Sequence, residues 1–343
     1  MKDLKSFSDA YIEEEEYRQN IDFGKLCNYG IKVLDDPLIA IAKNELVVVG
    51  ADSGVGKSSL AITIAQHNAK NGRKVALYYL EGGHIEAMQR MKWQDMADFY
   101  YKNKTAGRYS DMDYRKWVLN NPDDKRLMLE LSAEVYEEQK KKYKDNLFLY
   151  PITEGFKIEE LLDSLVGFHK LVESRSGEFK QEGVYDLDLI IIDHLQYFSL
   201  GKEDHEITEI TRIIRECKRI TDHYRIPIIL VSHLRKKNKD RGLPDQEDFY
   251  GSSNIPKIAT TAITITPFSA GDNLSSNVYP TFFRVVKSRI GLRPNYAMLC
   301  DYNLTRRQYA DRYQIFRLDS MGNFSDTPLA DNELPKWAME NLL

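Results

Sequence analysis

The chain has 343 residues, 42% of them hydrophobic and 29% charged, enough for one large domain or two modest ones around an ordinary buried core. Lys and Arg number 48 against 52 Asp and Glu, and the formal net charge of −4 argues against a strongly basic nucleic-acid coat while leaving room for a local basic loop. Cys27, Cys217 and Cys300 are scattered without metal-ligand spacing, no apolar run is long enough for a membrane span, and the N-terminus lacks a signal-peptide core. The expectation is a reduced, cytoplasmic protein (host cytoplasm if phage-encoded) with no membrane partner.

Residues 1–22 carry an acidic stretch, Asp9 to Glu16, with no basic residue inside it. It reads either as a solvated helix or frayed end, or as an arm that packs on a neighbouring subunit. The core is expected over 23–325. Leu46-Val47-Val48-Val49, ending at Gly50, reads as a buried strand. A helix follows from Lys57 to about Asn71, with Leu60, Ile64 and Ala65 at helical spacing, and Gly72 stops it. Val75 to Leu80 reads as the next strand, and this order implies a parallel sheet with a crossover helix. Residues 94–146, dense in Tyr, Lys and Asp, read as a helical excursion. Beyond it the pattern predicts a strand over Leu147–Ile152, an amphipathic helix over Ile158–Val172, a strand over Leu187–Asp193, a helix over Ile207–Tyr224 and a strand over Ile226–Ser232. Ala262–Thr266, Thr281–Lys287 and Tyr296–Asp301 lie close in sequence and are expected to pair partly antiparallel. Residues 326–343 are left as a C-terminal tail.

The strongest motif is Ala51-Asp52-Ser53-Gly54-Val55-Gly56-Lys57-Ser58, a phosphate-binding loop with Ala in place of its first Gly. Small residues let successive backbone N–H groups turn inward around a phosphate, and the following helix aims its positive end at it. Lys57 can reach the β and γ oxygens, and the Ser58 hydroxyl can ligate Mg²⁺. The candidate ATP-binding residues are Ser53, Gly54, Val55, Gly56, Lys57, Ser58 and Ser59. Asp193 closes the strand Leu189-Ile190-Ile191-Ile192, where a carboxylate is placed for Mg²⁺; by itself it also suits a helix cap or turn. Glu81 follows the second strand and can orient the attacking water, or simply open a helix at the surface. His233 ends a third core strand, where it is either a sensor of the γ-phosphate or a satisfied buried ring. His194, beside Asp193, is assigned mainly to structure. The loop Arg235-Lys236-Lys237-Asn238-Lys239-Asp240-Arg241 is basic at five positions, as DNA backbone phosphates require, or as an ordinary solvated loop allows. In Lys287-Ser288-Arg289-Ile290-Gly291, an Arg on a short turn could serve a neighbouring subunit as an arginine finger or simply be a surface charge.

Taken in order, these segments resemble the ATPase domain of the DnaB-like ring helicases, in the manner of the phage primase-helicase and Twinkle branch. Gly50 to Ser58, Leu80-Glu81, Ile-Ile-Asp-His-Leu at 191–195, Val-Ser-His-Leu-Arg at 231–235, Phe-Tyr-Gly-Ser-Ser at 249–253 and Val-Val-Lys-Ser-Arg-Ile-Gly at 285–291 carry the resemblance. It implies an α/β fold of the RecA-like P-loop NTPase type: a mostly parallel central sheet flanked by helices, with C-terminal antiparallel strands. It implies ATP and Mg²⁺ as ligands, with Glu81, Lys57, His233, Lys287 and Arg289 catalytic and Tyr302 against the nucleotide base. It further implies single-stranded DNA as partner, a homo-oligomeric ring (expected to be a hexamer), and replisome proteins nearby. The 22 residues before the core are too few for the helical collar of the bacterial helicases, so the expectation is a stand-alone ring motor or a specialised relative. A recombinase-like or clock-type ATPase that remodels without unwinding is the rival enzyme reading. A non-enzymatic loader or accessory subunit is the third, and the intact Glu81 speaks against it.

Overall fold

The computed structural model describes residues 4–52, 54–103, 112–119, 125–151, 155–173, 179–198, 206–235, 242–251, 254–268, 277–289, 292 and 295–339. In chain order the elements are α1 (Phe7–Gln19), α2 (Lys32–Leu38), β1 (Leu46–Ala51), α3 (Lys57–Lys70), β2 (Val75–Tyr79), α4 (Gly83–Asn103), α5 (Tyr114–Val118), α6 (Lys125–Tyr143) and β3 (Leu147–Leu149). They continue with α7 (Ile158–Leu165), β4 (His169–Glu173), β5 (Phe179–Tyr185), β6 (Leu189–Asp193), α8 (Glu206–Tyr224), β7 (Ile228–His233) and α9 (Asn254–Ile258). The last are β8 (Thr261–Pro267), β9 (Val278–Ser288), β10 (Tyr296–Asn303), β11 (Gln308–Arg317) and α10 (Lys336–Met339).

Among the described residues one nine-stranded sheet runs in the order β11-β10-β9-β8-β1-β7-β6-β2-β3. From β8 to β3 every neighbouring pair is parallel; β8 to β11 pair antiparallel. The mixed sheet expected from sequence is therefore present. The apolar runs of the central strands are continuous because both faces are covered. Val47, Val49, Leu77, Ile191 and Val231 join α2, α3 and α4 in one core layer. Leu46, Val48, Ala76, Ile190 and Leu230 join α7 and α8 in the other. No helix among the described residues is long and apolar enough to cross a membrane.

Two predicted elements end early. The helix expected over Ile158–Val172 stops at Leu165; a 3₁₀ turn over Val166–Phe168 leads into β4, which pairs antiparallel with β5. Ile158, Leu161 and Leu165 complete the buried stripe, and Gly167 then weakens any continuation. The strand expected over Leu147–Ile152 ends at Leu149, two residues before Pro151, which has no N–H to give a ladder; Ile152 lies outside the described residues. In the 94–146 excursion, α4 and α6 are fastened to α3 through Asp95. Its carboxylate accepts from Gln66 Nε2 (2.8 Å), Gln139 Nε2 (2.6 Å), the Tyr143 hydroxyl (2.9 Å) and Lys70 Nζ (2.8 Å).

Candidate functional site

β1 delivers the chain to the loop before α3. Ser53 lies outside the described residues. Gly54 and Gly56 have φ of 84° and 88°, the left-handed region open to glycine. A Cβ on Gly56 would also sit 2.7 Å from the Tyr302 ring. No side chain caps the start of α3, so the helix presents its first backbone N–H groups and its positive end to the loop. The floor of the loop is aromatic. The Tyr309 hydroxyl donates to the Val55 carbonyl at 2.7 Å, and the Tyr302 hydroxyl lies 2.9 Å from Ser59 Oγ. Tyr302 was expected against a nucleotide base; it is only 1% exposed and packed under Gly56, so its ring has no open face for a base.

The register gathers the remaining groups. Ala51 pairs with His233 and Tyr79 with Asp193, so Lys57, Glu81, Asp193 and His233 meet at the carboxyl ends of adjacent parallel strands. Open α/β sheets bind ligands at this edge. Lys57 Nζ donates to His233 Nδ1 at 2.9 Å. Burial pushes the Lys57 ammonium down, against the pull of the Asp193 and Glu81 carboxylates. Burial, and then Lys57, also push His233 down. Asp193 is completely buried, and neither of its carboxylate oxygens has an aligned hydrogen-bond donor. Burial pushes its carboxyl up to about 7; Ser58 opposes the rise.

His194 also belongs to this cluster. Its Nε2 is 2.6 Å from Glu81 Oε2, in contact but without hydrogen-bond alignment, and its ring centre is 4.9 Å from that of His233. Burial holds it neutral, with its pKa pushed down to about 3. The signal for it was present in the sequence: it is the polar residue next to Asp193, at the end of a core strand.

An orphaned buried carboxylate beside a serine hydroxyl fits a divalent cation. Mg²⁺ suits so sparse a protein ligand set because it keeps several waters and takes oxygens from substrate phosphates. Among the described residues no group of three or more His, Cys, Asp and Glu forms a protein-only metal cage.

The other predicted residues lie further along the same edge or away from it. Arg235 is exposed, and its N–H donates to the Asp248 carbonyl at 2.7 Å. Lys236, Lys237, Lys239 and Arg241 lie outside the described residues. The Tyr250 N–H donates to the His233 carbonyl at 3.0 Å, and Leu234 bridges to Phe249. The end of β7 thereby holds the segment 248–251. Lys287 was expected to reach a nucleotide; its ammonium instead donates to the carbonyls of Pro256 (2.6 Å), Lys257 (2.8 Å) and Ala259 (2.7 Å). These use all three of its donors to cap α9. Arg289 stands exposed on the turn after β9.

The chain is 27% identical over 223 residues to the replicative DNA helicase DnaC of Bacillus subtilis (strain 168), covering 64% of this chain and 40% of that protein. It is 23% identical over 216 residues to the replicative DNA helicase DnaB of Geobacillus stearothermophilus, covering 62% and 40%. The chain thus spans about two fifths of the length of the curated relatives it matches, 40% in each case. Among solved structures, one of an isolated ATPase domain aligns with a TM-score of 0.64 at 16% identity, covering 95% of this chain and all of that one. A second, "The Structure Of A DnaB-Like Replicative Helicase And Its Interactions With Primase", aligns at 0.58 and 17% identity over 93% of this chain and 68% of that one. At these identities the structures establish the shared fold, the RecA-like α/β arrangement. The family model for the DnaB-like helicase C-terminal domain matches residues 27–132 and 164–305, and the chain belongs to that family.

Proposed function

We propose that the protein is an ATP-hydrolysing motor that moves along single-stranded DNA and unwinds duplex DNA as a ring of subunits, in replication or recombination. The carrying observation is the convergence of Lys57, Ser58, Asp193, Glu81 and His233 at one sheet edge behind a glycine loop, in a chain of this family. The loop N–H groups and the start of α3 hold the phosphates of ATP, and Lys57 leaves His233 to meet them. Ser58 and Asp193 hold Mg²⁺, which when bound neutralises charge developing on the transferred phosphoryl group. Glu81, 46% exposed and therefore open to solvent, takes a proton from the attacking water. His233 reports the γ-phosphate to segment 248–251 through the bonds at the end of β7. Arg289 of one subunit faces the nucleotide of the next, and Arg235 with the basic loop behind it contacts DNA phosphates.

The ring reading has support at the N-terminus. α1 buries none of its residues and leaves Phe7, Tyr11 and Ile12 exposed, as an arm on a neighbouring subunit requires. A hexamer with replisome partners, working in the cytoplasm, is the assembly this reading calls for. The test is ATP-dependent unwinding of a forked duplex. Wild type unwinds it, whereas Glu81→Gln binds ATP but loses unwinding and hydrolysis by roughly 100-fold or more. Wild-type protein that binds ATP but neither hydrolyses it nor unwinds the fork would overturn the motor reading.

A further inference from the structure

Four of the ionisable side chains at this edge have a part in the proposed chemistry, and His194 beside them has none. Its placement is specific. The backbone at His194 has φ 80° and ψ 87°, a conformation that residues with a Cβ rarely adopt. Only 1% of the residue is exposed. That turn directs Nε2 to within 2.6 Å of Glu81 Oε2, while the ring stands 4.9 Å from His233 and 5.5 Å from Tyr197. His233 in turn takes the Lys57 ammonium on Nδ1 at 2.9 Å. A continuous run of contacts therefore leads from the phosphate-loop lysine, through two imidazoles, to the carboxylate. The Lys57 ammonium can only donate, so neutral His233 accepts on Nδ1 and carries its proton on Nε2; the 2.6 Å approach of Glu81 Oε2 calls for a proton on His194 Nε2, which a small turn of the ring would align on the carboxylate.

We infer that His194 is a positioning residue for Glu81: its Nε2 fixes the carboxylate, and its packing on His233 makes that position depend on the phosphate-facing end of β7. The inference rests on the reading of Glu81 as the group that activates water. Its physical basis is the steep cost of misplacing a reacting group, since an error of about 1 Å can cost about 100-fold in rate. Glu81 stands after the last residue of β2, on a chain that goes straight into α4, and 46% of its side chain is exposed. The ladder holds it less firmly than it holds Asp193. His194, locked by burial and by its turn, supplies a rigid reference, and His233 links that reference to the end of β7 that faces the phosphates.

The experiment is steady-state ATP hydrolysis by the full chain with single-stranded DNA, alongside binding of a fluorescent ATP analogue. His194→Gly suits the left-handed backbone and removes the ring. His194→Asn keeps that tolerance but carries an amide in place of Nδ1, too short to reach Glu81. His194→Gln puts an amide nitrogen near the Nε2 position. The Gly and Asn variants are expected to lose about 100-fold in kcat with KM and analogue binding unchanged. The Gln variant is expected to recover most of the rate. In a Glu81→Gln background, His194→Gly is expected to change nothing further, because the two act as a unit. An unchanged kcat in the Gly and Asn variants would overturn the inference. So would an equal loss in all three variants accompanied by weakened binding, which is the signature of packing alone. If Glu81→Gln itself turned over at the wild-type rate, the reading of Glu81 would fall and the inference with it, an outcome distinct from normal His194 variants with an inactive Glu81→Gln.

Discussion

At Gly56 the loop before α3 has no room for a side chain. Both the φ of 88° and the Tyr302 ring at 2.7 Å oppose a Cβ there, so Gly56→Ala is expected to abolish ATP binding in a fluorescent-analogue titration; binding at wild-type affinity would mean that the loop can move off its floor. Tyr302→Phe removes only the bond to Ser59 and is expected to cost about 1 kcal/mol in urea unfolding while leaving ATP affinity intact. A large loss of affinity would instead restore a direct role for Tyr302 against the base. Asp35 offers a pH test. Burial pushes its carboxyl up to about 6, with Tyr29 N–H donating to it at 2.7 Å. Between about pH 4 and pH 6 the folded chain keeps a proton on Asp35 that the unfolded chain has lost, so the Asp35 contribution to stability falls as pH rises through that window and levels off above it. Asp35→Asn should flatten this slope in unfolding curves, and an unchanged slope would exclude Asp35 as its source. The places of Gly54, Gly56, Glu81 and Asp193 at or just past strand ends were legible because their signal is local: residue type at the end of an apolar run. The surroundings of Tyr302 and His194 were not legible, because they come from elsewhere in the chain. Tyr302 meets Ser59 across 243 residues of sequence, and the contact of His194 with Glu81 depends on β2 lying beside β6.

Among the elements, α9 depends on one distant side chain. Lys287→Met would strand the carbonyls of Pro256, Lys257 and Ala259, at a cost of about 1–3 kcal/mol in unfolding free energy. Arg289→Ala, at an exposed turn, should leave stability unchanged and lower ATP hydrolysis by about 1000-fold, if it acts as an arginine finger. Normal hydrolysis by that variant would withdraw the assignment. Asp95→Ala should cost about 3 kcal/mol and speed hydrogen exchange in α4 and α6, because four donors lose their common acceptor. The central strands were readable as buried apolar runs, since helices cover both of their faces. β11 was not: Gln308–Arg317 is an edge strand interrupted by Asp311 and Arg312, whose charges suit an edge but erase the apolar run. The amphipathic spacing over 158–165 predicted α7, but nothing in its period announced that the chain would turn back as a hairpin after Gly167.

For the molecule as a whole, the composition and motifs pointed to an α/β ATPase, and the sheet order explains how residues spread from Lys57 to His233 become one site. Parallel strands β2, β6, β7 and β1 all end on the same side, so a residue just past each strand meets the others there. Sequence patterning gives strands but not their order, because neighbours across the sheet are chosen by long-range packing. The proposed ring draws on the exposed side chains of α1 and on Arg289, and it predicts a ring-sized mass in solution. The most direct test of the account is steady-state ATP hydrolysis with and without single-stranded DNA, for wild type and for Lys57→Ala. The account predicts DNA-stimulated turnover by wild type and loss of both turnover and nucleotide binding in the variant. A wild-type protein that turns over no ATP under either condition would contradict it.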